Sequence, residues 1–91
     1  MSHTTREKTK LLNRVRRIRG QMEGVERALE NEKGCAVVLQ LIAGVRGAIN
    51  GLMAEVVEDH VRHHVADHAL AQDERDEGAA ELIDVVRAYL K

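Results

Sequence analysis

Residues 35–56, CAVVLQLIAGVRGAINGLMAEV, decide the fold. Val38, Ile42, Val45, Ile49, Leu52 and Val56 recur in alternating steps of four and three, the spacing of a helix face packed along a seam. Among them lie Ala43, Gly44, Gly47, Ala48 and Gly51, small residues that let two helix backbones approach closely. The pattern predicts a helix from Cys35 to about residue 66. Working back towards the N-terminus, Asn31 to Gly34 reads as a helix stop and turn. Before it, Leu11, Val15, Ile18, Met22, Val25 and Leu29 repeat the same seam over about residues 5–31, with Thr4 or Thr5 as N-cap. Two long seams joined by a short turn predict an antiparallel αα-hairpin. One hairpin covers each seam on one side only, so two hairpins are expected to pair into a four-helix-bundle dimer. Downstream, residues 67–78 are polar and acidic and read as a loop or helix start. Leu82, Ile83, Val86, Tyr89 and Leu90 define a short third helix from about 74 to 90.

Composition agrees. The chain has 91 residues, no proline, tryptophan or phenylalanine, and Tyr89 as its single aromatic. A core of Leu, Ile, Val, Met and Ala without proline predicts an all-α fold, and the length predicts one domain, residues 1–91. So short a chain has little room for a self-contained core, which again points to oligomerisation. One cysteine forbids an internal disulfide. The charged N-terminus is no secretory signal, and no apolar run approaches the roughly 20 residues that a bilayer requires. A cytoplasmic protein with a free thiol and no membrane partner is expected.

Cys35 stands well before the histidines His60, His63, His64 and His68, and His3 lies near the N-terminus. Cysteine and histidine are the ligands transition metals prefer. On one helix, Cys35 and His60 would be separated by roughly 37 Å at 1.5 Å per residue, too far to share an ion within one chain. The midpoint falls near residues 48 and 49, inside the small-residue patch. An antiparallel crossing of two copies there would bring Cys35 of one chain to His60 and His64 of the other and create two equivalent sites. His60 and His64, four apart, share a helix face with room for one ion, although such a pair also suits an ordinary solvated helix end. Loss of Met1 before Ser2 would leave an α-amine beside His3. His63 and His68 are expected to be peripheral. A thiolate with two or three imidazoles and an amine excludes Mg and Ca and disfavours Cu(I); it leaves Ni(II), Co(II) and Zn(II).

Residues 1–20 hold seven Lys/Arg against Glu7 alone, whereas residues 55–84 hold ten acids against Arg62 and Arg75. Lys10, Arg14 and Arg17 make one cationic stripe and Arg16 and Arg19 a neighbouring one, and Arg46 adds a charge to the small-residue part of the second helix. Rigid cationic stripes position phosphates. Without an aromatic platform for single strands or a helix-turn-helix of ordinary proportions, double-stranded DNA on a flat oligomer face is the expected partner. A Cys35-nucleophile enzyme is disfavoured because a helical hairpin offers no oxyanion hole or cleft. Metal storage remains as a rival that would lack sequence-specific DNA affinity.

Several stretches together resemble the family of small all-helical bacterial repressors that includes the copper sensor CsoR, the nickel/cobalt sensor RcnR and the formaldehyde sensor FrmR. They are Ser2-His3-Thr4, Arg14 to Gln21, Cys35 through Val45-Arg46-Gly47-Ala48 to Met53, His60, and Arg87 to Lys91. The resemblance spans essentially the whole chain. It implies three-helix protomers that form dimers and then a tetramer, binding operator DNA without effector and releasing it when effector binds between subunits. His64 stands where the copper branch has a second cysteine. His3, Cys35, His60 and His64 match the nickel/cobalt set, with Ser2 supplying the amine, and an efflux gene is the implied target. The formaldehyde branch, which relies on an N-terminal proline next to Cys35, is the alternative, with Cys35 and the N-terminal amine as its reactive groups; Ser2 departs from it. DNA contact carries over most firmly to Arg14 and Arg17, then to Lys10, Arg16 and Arg46.

Overall fold

A computed structural model describes residues 5–90, with side chains from residue 7. The described residues are helical apart from short connections, and no strand occurs among them. Helix α1 spans Thr5–Glu30 and α2 spans Cys35–His60. A π-helical turn, Val61–Val65, continues α2 directly, and α3 spans Gln72–Tyr89. The protein is all-α with three helices, as the seams predict. The structure falls into two compact units, one ending at Met53 and the other beginning at Ala54.

The first unit holds α1 and the early part of α2. The connection is a tight reversal of Schellman type: Lys33 N–H donates to Ala28 O (3.0 Å) and Glu32 N–H to Leu29 O (3.2 Å), closing the last carbonyls of α1. Glu32 takes the left-handed conformation (φ 51°) that glycine usually fills, and Gly34 follows at φ 96°. The hairpin is antiparallel. Ala28 and Leu29 share a cleft with Cys35 and Val38 near the turn, and at the far end the Arg14 guanidinium lies against Gly51.

The apolar seam is divided. In α1, Val25 and Ala28 are buried and Leu11 and Ile18 half-buried; in α2, Val45 is buried and Val38 and Leu52 half-buried. The other half of each seam is open as far as Ile49: Val15 is 42 % exposed, Met22 53 %, Leu29 60 %, Ile42 44 % and Ile49 43 %, whereas Val56 at the end of the α2 row is half-buried. One heptad row of each helix thus packs within the hairpin, and the adjacent row is left on the surface.

One expectation is corrected. The continuous helix Cys35–Val65 reaches a mean hydropathy of 1.6 over an 18-residue window, long and apolar enough by length and composition to cross a membrane. Glycines and alanines interrupt the large side chains without adding polarity, so the run is longer than the large residues alone suggest. A helix apolar on most of its surface also suits the core of an assembly.

The second unit holds the end of α2, the π-turn and α3. Asp67 shapes the link, its carboxylate accepting from Ala69 N–H (2.9 Å). Helix α3 begins two residues earlier than expected. Asp73 and Glu74 fall in its first turn, where the helix dipole favours carboxylates, and Glu74 accepts from Ala71 N–H (3.3 Å).

Candidate effector site and basic surface

Cys35 is the first residue of α2 and is exposed. It lies on a cleft of about 450 Å³ lined by the apolar Ala28, Leu29, Val38 and Leu39 and by Glu32 and Lys33 of the turn. His60 is the last α-helical residue of the same helix and His64 sits in the π-turn, both half-buried. Their rings stack, with centroids 4.9 Å apart and planes inclined by 28°. The structure therefore brings the two histidines side by side, as their spacing predicts. His63 is half-buried, and His68 is exposed with Nδ1 3.5 Å from Arg75 Nη1. His3 and Ser2 lie outside the described residues. Among the described residues, no three His, Cys, Asp or Glu side chains gather in a group that could hold a metal ion. The donors that are placed, one exposed thiol and a stacked imidazole pair, fit Ni(II), Co(II) or Zn(II) in chemistry and need further ligands to complete a shell.

Two residues around the histidines carry no signal in the seam pattern. Gly78 of α3 is buried. Its carbonyl oxygen accepts from His60 Nε2 at 2.7 Å, and its bare Cα faces the His64 backbone carbonyl. A Cβ there would come within 2.9 Å of the His64 carbonyl carbon and 3.0 Å of His64 Cβ, and nearer still to the oxygen. Arg75 donates through Nε to Val65 O (2.8 Å), and Ala66 N–H donates to Val61 O (2.7 Å). These two bonds satisfy carbonyls that the helix end would otherwise leave open. A lone glycine amid the acids and apolar residues of α3 was the available clue to Gly78.

On α1, Lys10, Arg16, Arg17 and Arg19 are exposed and Arg14 is half-buried. Arg16 Nη1 donates to Asn13 Oδ1 (3.1 Å). Arg17 and Arg27 line a cleft of about 440 Å³ together with Gly20, Gly24, Gly44, Gln21, Gln40 and Leu41. Arg46 is exposed on α2.

Residues 7–88 match the family described as metal-sensitive transcriptional repressor. The chain belongs to this family. Its members are transcriptional repressors, not enzymes. The transcriptional repressor RcnR of Salmonella paratyphi B is 41 % identical over 91 residues, covering all of both chains. An uncharacterized protein in the bioA 5′ region of Serratia marcescens is 54 % identical over the same full length. Among solved structures, a glutamate-to-histidine variant of the formaldehyde-responsive regulator FrmR from Salmonella enterica serovar Typhimurium superposes with a TM-score of 0.88 at 48 % identity, covering 97 % of this chain and 99 % of that one. The copper-sensing repressor CsoR with Cu(I) from Geobacillus thermodenitrificans gives the same TM-score at 27 % identity, covering 100 % and 94 %.

Proposed function

We propose that this repressor responds to nickel or cobalt, holding operator DNA without metal and releasing it when Ni(II) or Co(II) binds, to derepress a metal efflux gene. The observation that carries this reading is the stacked His60–His64 pair at the end of the helix that Cys35 opens. With a single cysteine in the chain, the placed donors are richer in nitrogen than a Cu(I) site asks for. The full site comprises Cys35, His3 and the Ser2 amine of one protomer with His60 and His64 of another; Zn(II) is a further occupant. Bound metal supplies a tether among these donors. The residues themselves do the rest: the N-terminal segment is drawn towards Cys35, and α1, which carries Lys10, Arg14, Arg16 and Arg17, shifts against the DNA together with Arg46 of α2.

Assembly into dimers and then a tetramer belongs to this reading, and the surface supports its first step. Gly44 and Gly47 meet nothing within 4 Å of an added Cβ, so their smallness serves no packing inside the hairpin. Together with the open heptad rows, this favours a second copy crossing there. A single cytoplasmic domain then carries both sensing and double-stranded operator binding.

Formaldehyde is the second reading, favoured by the 48 % identity to a FrmR variant and by the exposed Cys35 thiol at its cleft. It uses Cys35 and the N-terminal amine. Operator binding measured against nickel, cobalt, zinc, copper and formaldehyde in parallel separates the readings. Nickel or cobalt is expected to release DNA with a coupling of about 1–3 kcal/mol, or 5–150-fold. Cys35→Ala is expected to abolish that release, and His64→Ala to abolish the metal response alone. A normal nickel and cobalt response in Cys35→Ala overturns the site.

A further inference from the structure

We infer that Gly78 is the positioning residue of the sensor, its carbonyl fixing His60 as the Nε2–H tautomer and leaving Nδ1 as the ring nitrogen open to a ligand. The step from tautomer to ligand rests on the metal reading above; the tautomer itself does not.

Three observations converge on Gly78. First, its carbonyl oxygen lies 2.7 Å from His60 Nε2. A carbonyl only accepts, so the proton of this bond is on Nε2, and in the neutral ring the lone pair is then on Nδ1. Second, Gly78 is buried against the π-turn with its Cα facing the His64 carbonyl. Any side chain would meet backbone, which cannot swing aside as a flexible side chain can. The glycine therefore sets how closely α3 approaches, and with it the reach of its carbonyl to His60. Third, Arg75, one turn earlier on the same helix, holds the Val65 carbonyl (2.8 Å). Two bonds from one face of α3 thus hold both ends of the segment that carries His60 and His64. Metal-bound histidines generally donate their other ring N–H to a carbonyl or carboxylate, which fixes ring orientation and raises ligand basicity. Here that partner is in place before any ligand arrives.

The test is long-range 1H–15N correlation of the imidazoles in the full-length 15N-labelled protein at about pH 8.5, above the ordinary imidazole range. Without metal, His60 is expected to show a protonated Nε2 and an unprotonated Nδ1. A protonated Nδ1, or an even mixture of tautomers, overturns the inference. In Gly78→Ala with helical circular dichroism retained, the Nε2–H bias is expected to be lost; its persistence in that folded variant also overturns the inference. If Gly78→Ala does not fold, the wild-type tautomer decides alone. Added Zn(II), a diamagnetic probe, is expected to shift His60 Nδ1 and leave Nε2 protonated. Zinc on Nε2 overturns the inference. The Nε2–H tautomer with His60 untouched by zinc supports the role of Gly78 and removes His60 from the metal site.

Discussion

Two arginines one turn apart divide the work of the basic stripe. Arg17 is exposed and lines the cleft that also holds Gly20, Gly24 and Gly44, whereas Arg14 is half-buried with its guanidinium against Gly51. An exposed guanidinium contributes to DNA binding mainly by displacing counterions from one phosphate. Arg17→Ala is therefore expected to reduce the slope of log K against log salt by about 0.9 and leave the melting temperature unchanged. Operator titrations at several salt concentrations measure it; an unaltered slope removes Arg17 from the DNA face. Arg14→Ala should also remove packing over Gly51, because the stem of an arginine covers surface as well as carrying charge. Sequence spacing placed both residues on one stripe. It could not separate them, since spacing fixes an angle around α1 and not how close α2 comes.

At the scale of elements, helix ends were the most readable feature. The stop at Asn31 to Gly34, the start at Cys35 and the end of the second helix near residue 66 agree with the observed α1, α2 and π-turn to within a residue or so. These boundaries are written in local chemistry. Gly78 was not readable in the same way, because its importance comes from the π-turn it packs against, which no periodicity specifies. The turn after α1 also shows what local chemistry costs when it departs from the usual choice. Glu32 occupies a left-handed position (φ 51°), which costs a non-glycine residue roughly 1–2 kcal/mol. Glu32→Gly relieves that strain but gives back unfolded-state entropy. The net expectation is a gain of about 0.5–1 kcal/mol, measured by urea denaturation at fixed protein concentration. A loss of stability would mean that the Glu32 side chain contributes more than its backbone conformation costs.

For the whole molecule, the informative quantity is how little one chain buries. Val25, Ala28 and Val45 are the buried apolar residues among those described, while Val15, Met22, Leu29, Ile42 and Ile49 are open. The sequence showed two apolar seams and led to the expectation of a partner; it did not show that each seam is split lengthwise, because steps of four and three describe one stripe whether one neighbour or two cover it. A charge in the open row should block association without touching the row inside the hairpin. Ile42→Asp is expected to convert the assembly to monomer in sedimentation equilibrium and to lower helical circular dichroism with it. A fully helical monomer would show that the hairpin is stable alone.

On the proposed assembly, the split seam makes folding a matter of mass action. A chain that completes its core on another copy has a stability that depends on its own concentration. Its melting temperature is then expected to rise on concentration and fall on dilution. In that case newly made chains at low abundance are expected to meet a threshold before they become repressor at all, the level of the protein governing its foldedness before the occupancy of any operator.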